Sequence, residues 1–589
     1  MNATPLHSRK AFGRWRLLGA LVTLAGLIGG LHGRSLGYGL FMDDYAHYRQ
    51  LQAADWSLRS LTDACRLELN GGVIDIWWMP ECTLRFFRPV AFGLMKLAYT
   101  LSGWNPVTLH VASLGWHLLA SMLLMLLLHR VGIRRRIAWL VAGLFAIHPG
   151  HVATVQWIAA QSELMVTTFI LGALLCWAEF RGWPHGPGEH LSASAAPPRH
   201  RWGIASALLF LLALGCRENA IVFPLVILFA EPALSKRRPR AALLFYGVLG
   251  FLIGGYLALR SFYLGGAALP PRPYIVPPTA PDFIPYVIDK ACYYLLGEFL
   301  LVPCVPIGGL AYLRQHPIAF YGLTLLVLAA IAHAYYHNRR TVAGLIGPIA
   351  LLGFMLPVLP AFESPHHLYL PSIGWAICLA LLFQELAALA VRHKQPIVWR
   401  KRLVAVGVLV AGLIFGLSTY FFGMAFDTAQ AVEDCVVEEI ASAPQPVTDG
   451  DTLYFANMPM IAHYTQLAVE QRTGAKNLRV VPLTWAPRLL GVATPTELIR
   501  VDERTIEIRV AEDRYFSGPD RLLIADAAGG LSPVRLNEPV RHAGFTALPL
   551  DGDGEGISAL RFTFDRPWAQ TGIHLFWGSQ SSWACQLSP

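Results

Sequence analysis

The hydrophobic pattern changes character about three quarters of the way along the chain. Up to about residue 425, long apolar runs recur without alternation, at 17–31, 107–128, 137–147, 164–178, 204–214, 220–230, 241–259, 318–334, 341–361, 368–382 and 403–424. Beyond it, charges and turn residues return between short β-type runs at 452–455, 478–483, 505–510, 521–525, 560–564 and 573–577. Runs of the first kind read as membrane helices, although several fall short of the roughly 20 residues a full crossing needs. Their ends therefore extend into flanking polar residues packed inside a bundle. Runs of the second kind, spaced by Gly, Pro and Asp, read as a small β-rich domain. The expected fold is a polytopic α-helical membrane protein with about 11 transmembrane helices over 1–425, carrying external loops at 32–106 and 261–317. An extracytoplasmic β-rich (α+β) domain follows over 426–589.

The intervening segments add detail. Residues 85–101 (RFFRPVAFGLMKLAYTL) predict an amphipathic helix at the membrane interface, with Pro89 near its start. Residues 283–302 predict a segment that lies on or dips into the membrane rather than crossing it. Residues 182–201, rich in Gly, Pro and Ser, read as a flexible cytoplasmic linker. No repeat of about 34 residues is present, which excludes a tetratricopeptide array.

Basic clusters set the orientation. Arg9, Lys10, Arg14 and Arg16 precede the first span; Arg130 and Arg134, Arg135 and Arg136 follow the second. Lys236, Arg237, Arg238 and Arg240, then Arg339 and Arg340, then Arg392, Lys394, Arg400, Lys401 and Arg402 continue the series. All fall on one side if the chain crosses about eleven times from a cytoplasmic N-terminus, which is the positive-inside pattern. The first apolar run lacks a small-residue cleavage site and reads as a retained span. The expected location is an integral protein of the bacterial inner membrane, with 32–106 and everything after about 424 outside the cytoplasm.

Composition supports this. The chain is 54% hydrophobic and 14% charged, against about 25% charged in ordinary soluble domains. The net charge of +9 sits in clusters between spans, so membrane lipids rather than nucleic acid are the expected partners. Cys65 and Cys82 in the first external loop, and Cys435 and Cys585 in the C-terminal region, predict two disulfides in an oxidising compartment. Cys176, Cys216, Cys292, Cys304 and Cys378 read as small core residues. No spacing resembles a zinc site, and no cofactor or metal is called for.

The polar residues that stand out gather at the external ends of spans. Asp43 and Asp44 follow the first, Arg88 precedes the second, and His148 and His151 end the third, with Glu163 just beyond. Arg217 and Glu218 join the fifth and sixth, Arg260 ends the seventh, and His366 and His367 lie between the ninth and tenth. Ionisable groups in such a setting are costly and are functional hypotheses by default. A structural reading competes at each: Asp43 or Asp44 as a helix cap, Arg217 and Glu218 as a pair closing a hairpin, and His110 and His117 as buried hydrogen-bonders. On the external face, where nucleotide sugars are absent, an activated group must arrive on a lipid. A polyprenyl-phosphate-linked sugar fits: Arg forks suit its phosphate, and a carboxylate can take a proton from an acceptor hydroxyl.

At these residues the chain resembles the GT-C superfamily of multi-span glycosyltransferases, and within it the transmembrane-and-tetratricopeptide O-mannosyltransferase group. The matching segments are Met42-Asp43-Asp44-Tyr45, Phe87-Arg88-Pro89-Val90, Leu109-His110-Val111 through His117, Ile147-His148-Pro149-Gly150-His151 through Glu163-Leu164, Arg217-Glu218, and Leu368-Tyr369-Leu370-Pro371-Ser372. The resemblance covers about 15–425. It implies a polyprenyl- or dolichyl-phosphate-sugar donor, inverting transfer to a protein or glycan acceptor hydroxyl, and a catalytic acid at Asp43 or Asp44, with Asp44 favoured. The group's acid after its histidine motif falls here at Ala153, its next Arg at Gln161, and its Glu-Arg pair at Pro365 and His366. The competing readings are a lipid or glycan flippase and an inactive relative acting as a binding protein.

Overall fold

A computed structural model describes residues 14–69, 75–78, 82–182, 199–234, 240–265, 275–302, 309–339, 341–392, 397–488, 491–492, 495–517, 534–554, 556–568 and 570–587. The first half contains helices α1 (Arg14–His32), α2 (Asp43–Ala53), α3 (Leu58–Asp63), α4 (Pro89–Leu101), α5 (Pro106–Arg130), α6 (Arg135–Ala146), α7 (Val152–Gln156), α8 (Gln161–Phe180), α9 (His200–Cys216) and α10 (Phe223–Leu234). There follow α11 (Arg240–Leu264), α12 (Phe283–Leu300), α13 (Gly309–Arg314), α14 (Pro317–Asn338), α15 (Val342–Met355), α16 (Ser372–Arg392), α17 (Ile397–Ala441) and α18 (Thr465–Thr473).

Each expected apolar run contains a helix. Among the described residues, however, six helices rather than eleven are long and apolar enough to cross a membrane, or seven if α6 and the bent segment Pro149–Gln156 form one span. The rest, such as His200–Cys216 and Val342–Val358, are too short alone. Phe251, Phe262, Ile318 and Phe421 stand exposed on α11, α14 and α17. Apolar faces of this extent on several helices suit hydrocarbon rather than water, and the chain is an integral membrane protein. Helix starts follow local chemistry: Asn105 accepts from the Val107 amide at 3.0 Å and Pro106 takes the first position of α5. Gly374 lets α16 lie against α15, since a Cβ there would sit 2.0 Å from the Leu351 nitrogen.

α17 runs unbroken through position 425 to Ala441, so no linker separates the bundle from the C-terminal region. That region holds two sheets. One has the order β11-β10-β3-β4, built from β3 (Thr452–Ala456), β4 (Arg479–Pro482), β10 (Ile573–Trp577) and β11 (Cys585–Gln586), with β3 parallel to both β4 and β10. The other is antiparallel in the order β5-β6-β9-β8-β7, from β5 (Thr496–Arg500), β6 (Thr505–Val510), β7 (Val540–His542), β8 (Phe545–Asp553) and β9 (Gly556–Phe564). The expected strand at 521–525, most of the 182–201 linker, and Arg272 lie outside the described residues.

The long loop after α1 reaches into this region. After β1 (Arg66–Leu69), which pairs antiparallel with β2 (Cys82–Arg85), Ile76, Trp77 and Trp78 join the C-terminal core. Trp78 meets Trp485 edge-on at 5.3 Å, and Trp77 meets Phe562 at 5.9 Å while its Nε1 donates to the Leu483 carbonyl at 3.0 Å. Asp75 accepts from Arg479 Nη2 at 2.7 Å and lies 2.9 Å from His542 Nε2. The expected disulfides are not formed. Cys65, Cys435 and Cys585 are free thiols; Cys65 is buried and donates to the Leu61 carbonyl. Packing and the two tryptophans, not sulfur bridges, tie the loop down.

Candidate active site

The site is built on the turn into α2. Met42 stands at φ 50°, ψ −122°, outside the ordinary basins of a non-glycine residue; such a conformation persists only where neighbours enforce it. The Met42 amide donates to Glu433 Oε2 of α17 at 3.3 Å, and the Asp44 amide to the Phe41 carbonyl at 3.0 Å. Asp43 and Asp44 then occupy the first turn of α2, where the helix dipole favours negative charge.

The two acids differ sharply. Asp44 is 1% exposed and its oxygens accept the amides of Phe41 (3.2 Å) and Ala159 (2.7 Å). Burial pushes its carboxyl well above the usual range; the Ala159 amide pulls it back, and the Asp43 charge adds to the rise. Asp43 keeps a side chain 25% exposed, with His463 Nε2 3.6 Å from Oδ1. Asp44 therefore pins the loop to the segment before α8, and Asp43 is the acid that faces outward.

Around this turn the loops bring in cations and acids. Arg88, ahead of α4, grips Glu218 through Nη2 at 3.0 Å and Nε at 3.2 Å. Burial pushes the Glu218 carboxyl up, but the Arg88 and Arg217 guanidiniums outweigh it and hold it below the usual range. Arg217 pairs with buried Glu163 at 2.8 Å and donates to Ser162 Oγ at 3.1 Å, while Asn219 donates to Glu163 at 3.1 Å. Burial brings Arg217 down to about 10 against the support of Glu163. His366 is buried beside these cations; burial, then Arg217 and Arg88, hold its imidazole well below its ordinary value. Trp157 bridges the two sides, its Nε1 donating to the Phe41 carbonyl at 3.3 Å and its ring 6.0 Å from that of His366. His47, one turn along α2, feels both Asp43 and Arg88.

Asp43, Asp44, Arg88, Glu163, Arg217, Glu218 and His366 thus share one neighbourhood. His367 points to the Tyr294 hydroxyl at 3.1 Å. His148 and His151 sit elsewhere, each 1% exposed, in an aromatic nest with His117, Tyr369 and Trp375. His148 Nε2 contacts the Glu298 carbonyl at 3.1 Å and His151 Nδ1 donates to the Phe145 carbonyl at 2.9 Å. Arg260 ends α11 near Tyr256 and is not among the paired charges. Among the described residues no group of His, Cys, Asp and Glu could hold a metal ion. Sequence reasoning missed Glu433, which echoes Asp43-Asp44 as an acid closing an apolar run, and His463, which no local signal marks.

The geometry describes a membrane protein with a cluster of acids and guanidiniums at the ends of its apolar helices, and its sequence relatives are glycosyltransferases. Protein O-mannosyl-transferase TMTC4 of Homo sapiens is 24% identical over 397 residues, spanning 56% of this chain and 50% of that protein. Protein O-mannosyl-transferase TMTC3 of Mus musculus is 29% identical over 111 residues, or 18% of this chain and 12% of that one. The chain thus spans half or less of the curated relatives it matches. No protein-family model matches it. Among solved structures, Cupriavidus metallidurans ArnT bound to undecaprenyl phosphate aligns at TM-score 0.42 and 14% identity, over 80% of this chain and 86% of that one. The Archaeoglobus fulgidus oligosaccharyltransferase tethered with an acceptor peptide aligns at TM-score 0.43 and 14% identity, over 80% and 64%.

Proposed function

We propose that the protein is a membrane glycosyltransferase that moves a sugar from a polyprenyl-phosphate donor to an extracytoplasmic hydroxyl, on protein or envelope glycan, with inversion. The observation that carries this reading is Asp43, the acid of the α2 pair whose side chain keeps 25% exposure, in the neighbourhood of the Arg88–Glu218 and Arg217–Glu163 pairs. The acceptor oxygen attacks the anomeric carbon as the bond to the phosphate oxygen breaks. Polyprenyl phosphate departs with the bonding electrons, and Asp43 takes the hydroxyl proton as general base. Fixed guanidiniums stabilise the phosphate as it leaves; Glu218 occupies Nε and Nη2 of Arg88, so Nη1 is the atom assigned to a phosphate oxygen. A carboxylate close by also suits the oxocarbenium character of the sugar. We assign the base to Asp43 rather than to Asp44, favoured from sequence; what supports this is that Asp44 is enclosed and already bonded to two amides. The reading includes an N-terminus in the cytoplasm, eleven crossings, and a C-terminal domain from 426 outside.

The test compares Asp43→Asn and Asp44→Asn in membranes supplied with radiolabelled undecaprenyl-phosphate mannose, glucose or aminoarabinose. Asp43→Asn loses transfer with normal folded yield, a drop of about 10²–10⁴-fold for a general base; Asp44→Asn loses folded protein first. A fully active Asp43→Asn enzyme rejects the assignment.

A further inference from the structure

His463 belongs to the C-terminal region, yet it reaches the acid at the start of α2. It follows the short helical turn Met460–Ala462 and precedes α18. Its Nδ1 lies 2.9 Å from the Met460 carbonyl. A carbonyl only accepts, so Nδ1 carries the hydrogen, and the lone pair of the neutral imidazole is on Nε2. That nitrogen faces Asp43 Oδ1 at 3.6 Å. Two lone pairs set opposite each other are favourable only with a proton or a hydroxyl between them. Both side chains keep a route to water, at 15% and 25% exposure. The charged and titratable groups around the pair are Asp44 and His47 on α2, Glu433 on α17, Arg88 ahead of α4, and Tyr464, whose ring lies 4.6 Å from that of His463.

We propose that His463 is the proton partner of Asp43, so that the C-terminal domain completes a site otherwise built by the membrane bundle. This rests on Asp43 as base. The acceptor hydroxyl gives its proton to the Asp43 carboxylate. The carboxylic acid passes it to His463 Nε2, forming imidazolium, which releases it to water and restores both groups. Atoms and charge balance with no further reagent. His463 acts through Asp43 and is a positioning residue for the proton.

The protein in lipid nanodiscs, with undecaprenyl-phosphate mannose as probe, tests this. His463→Ala and His463→Gln both lower kcat by about tenfold or more, leave KM for the donor within twofold, and flatten the acid side of the pH–rate profile. Arg49→Ala, which removes a separate contact of the same interface (Arg49 to Glu470, 2.6 Å), keeps the wild-type profile. An independent readout needs no turnover: in histidine-labelled protein, Asp43→Asn displaces the ring-nitrogen resonances of His463. Wild-type kcat and profile in His463→Gln, beside an inactive Asp43→Asn, overturn the His463 proposal and leave the base in place. An active Asp43→Asn removes the base reading itself. Unmoved His463 ring-nitrogen resonances in Asp43→Asn overturn the pairing whichever donor the enzyme prefers.

Discussion

One ion pair of the membrane bundle and one of the C-terminal region carry charge in opposite ways. In the bundle, Glu163 is fully buried and Arg217 is 9% exposed, and the pair is locked by Ser162 and Asn219. At the C-terminal end, Arg472 and Glu438 meet at 2.7 Å with 58% and 55% of their side chains in water. A buried pair is no cheap source of stability, because desolvation offsets much of the attraction. An exposed pair costs little and contributes little. The buried pair lies in the candidate site; the exposed pair lies on a solvated face. The loop after α1 belongs to both regions, with Asp44 anchored to the bundle and Trp77 and Trp78 anchored in the C-terminal core.

The largest effects follow from breaking what is buried. Glu163→Ala leaves Arg217 without its partner and costs about 3–5 kcal/mol, read as loss of folded protein in detergent melting curves. Trp78→Ala empties a fully enclosed site between the first loop and Trp485 and costs about 3–5 kcal/mol; limited proteolysis then cuts the first loop while the membrane helices stay protected. Asp44→Asn disturbs a carboxylate bonded to two amides and costs about 1–3 kcal/mol, measured by the same melting curves. A pH effect comes next. Burial pushes the Asp75 carboxyl up, but hydrogen bonds from His542 and Arg479 outweigh it and hold it below the usual range. A depressed acid lends stability that is present above its unfolded value, about 3.9, and is lost as pH falls through the folded one. Tryptophan fluorescence of the loop should therefore change on acidification below that value, and Asp75→Asn should remove the dependence. Smallest is Arg472→Ala, within about 1 kcal/mol of wild type; a larger loss there contradicts the contrast between the two regions.

Much of the architecture was legible because membrane helices are written locally. Apolar length and basic flanks need no tertiary contact to be read, and β6 and β10 fall where alternation placed them. Crossing number was less legible, because short helices such as α9 and α15 borrow their completion from neighbours. The candidate site was legible as a set of residues at the ends of apolar runs, since acids and guanidiniums are conspicuous in an apolar chain. Their grouping was not. His148 and His151 look identical in kind to His366, yet the fold buries them in the nest of His117 and Tyr369, while His366 lies beside Arg217.

The chain alone determined an integral membrane protein with a sheet-rich end, and a turn after the first apolar run bearing Asp43 and Asp44, because hydropathy and charge are properties of single residues and short runs. Only the tertiary structure decided which of two adjacent acids is enclosed. Their sequence environments are the same, but a helix turn points them apart, one to the Ala159 amide and the other to His463. It also decided that a histidine more than four hundred residues away faces the same carboxylate. That contact exists because the first loop is folded into the C-terminal core, an arrangement no local pattern encodes.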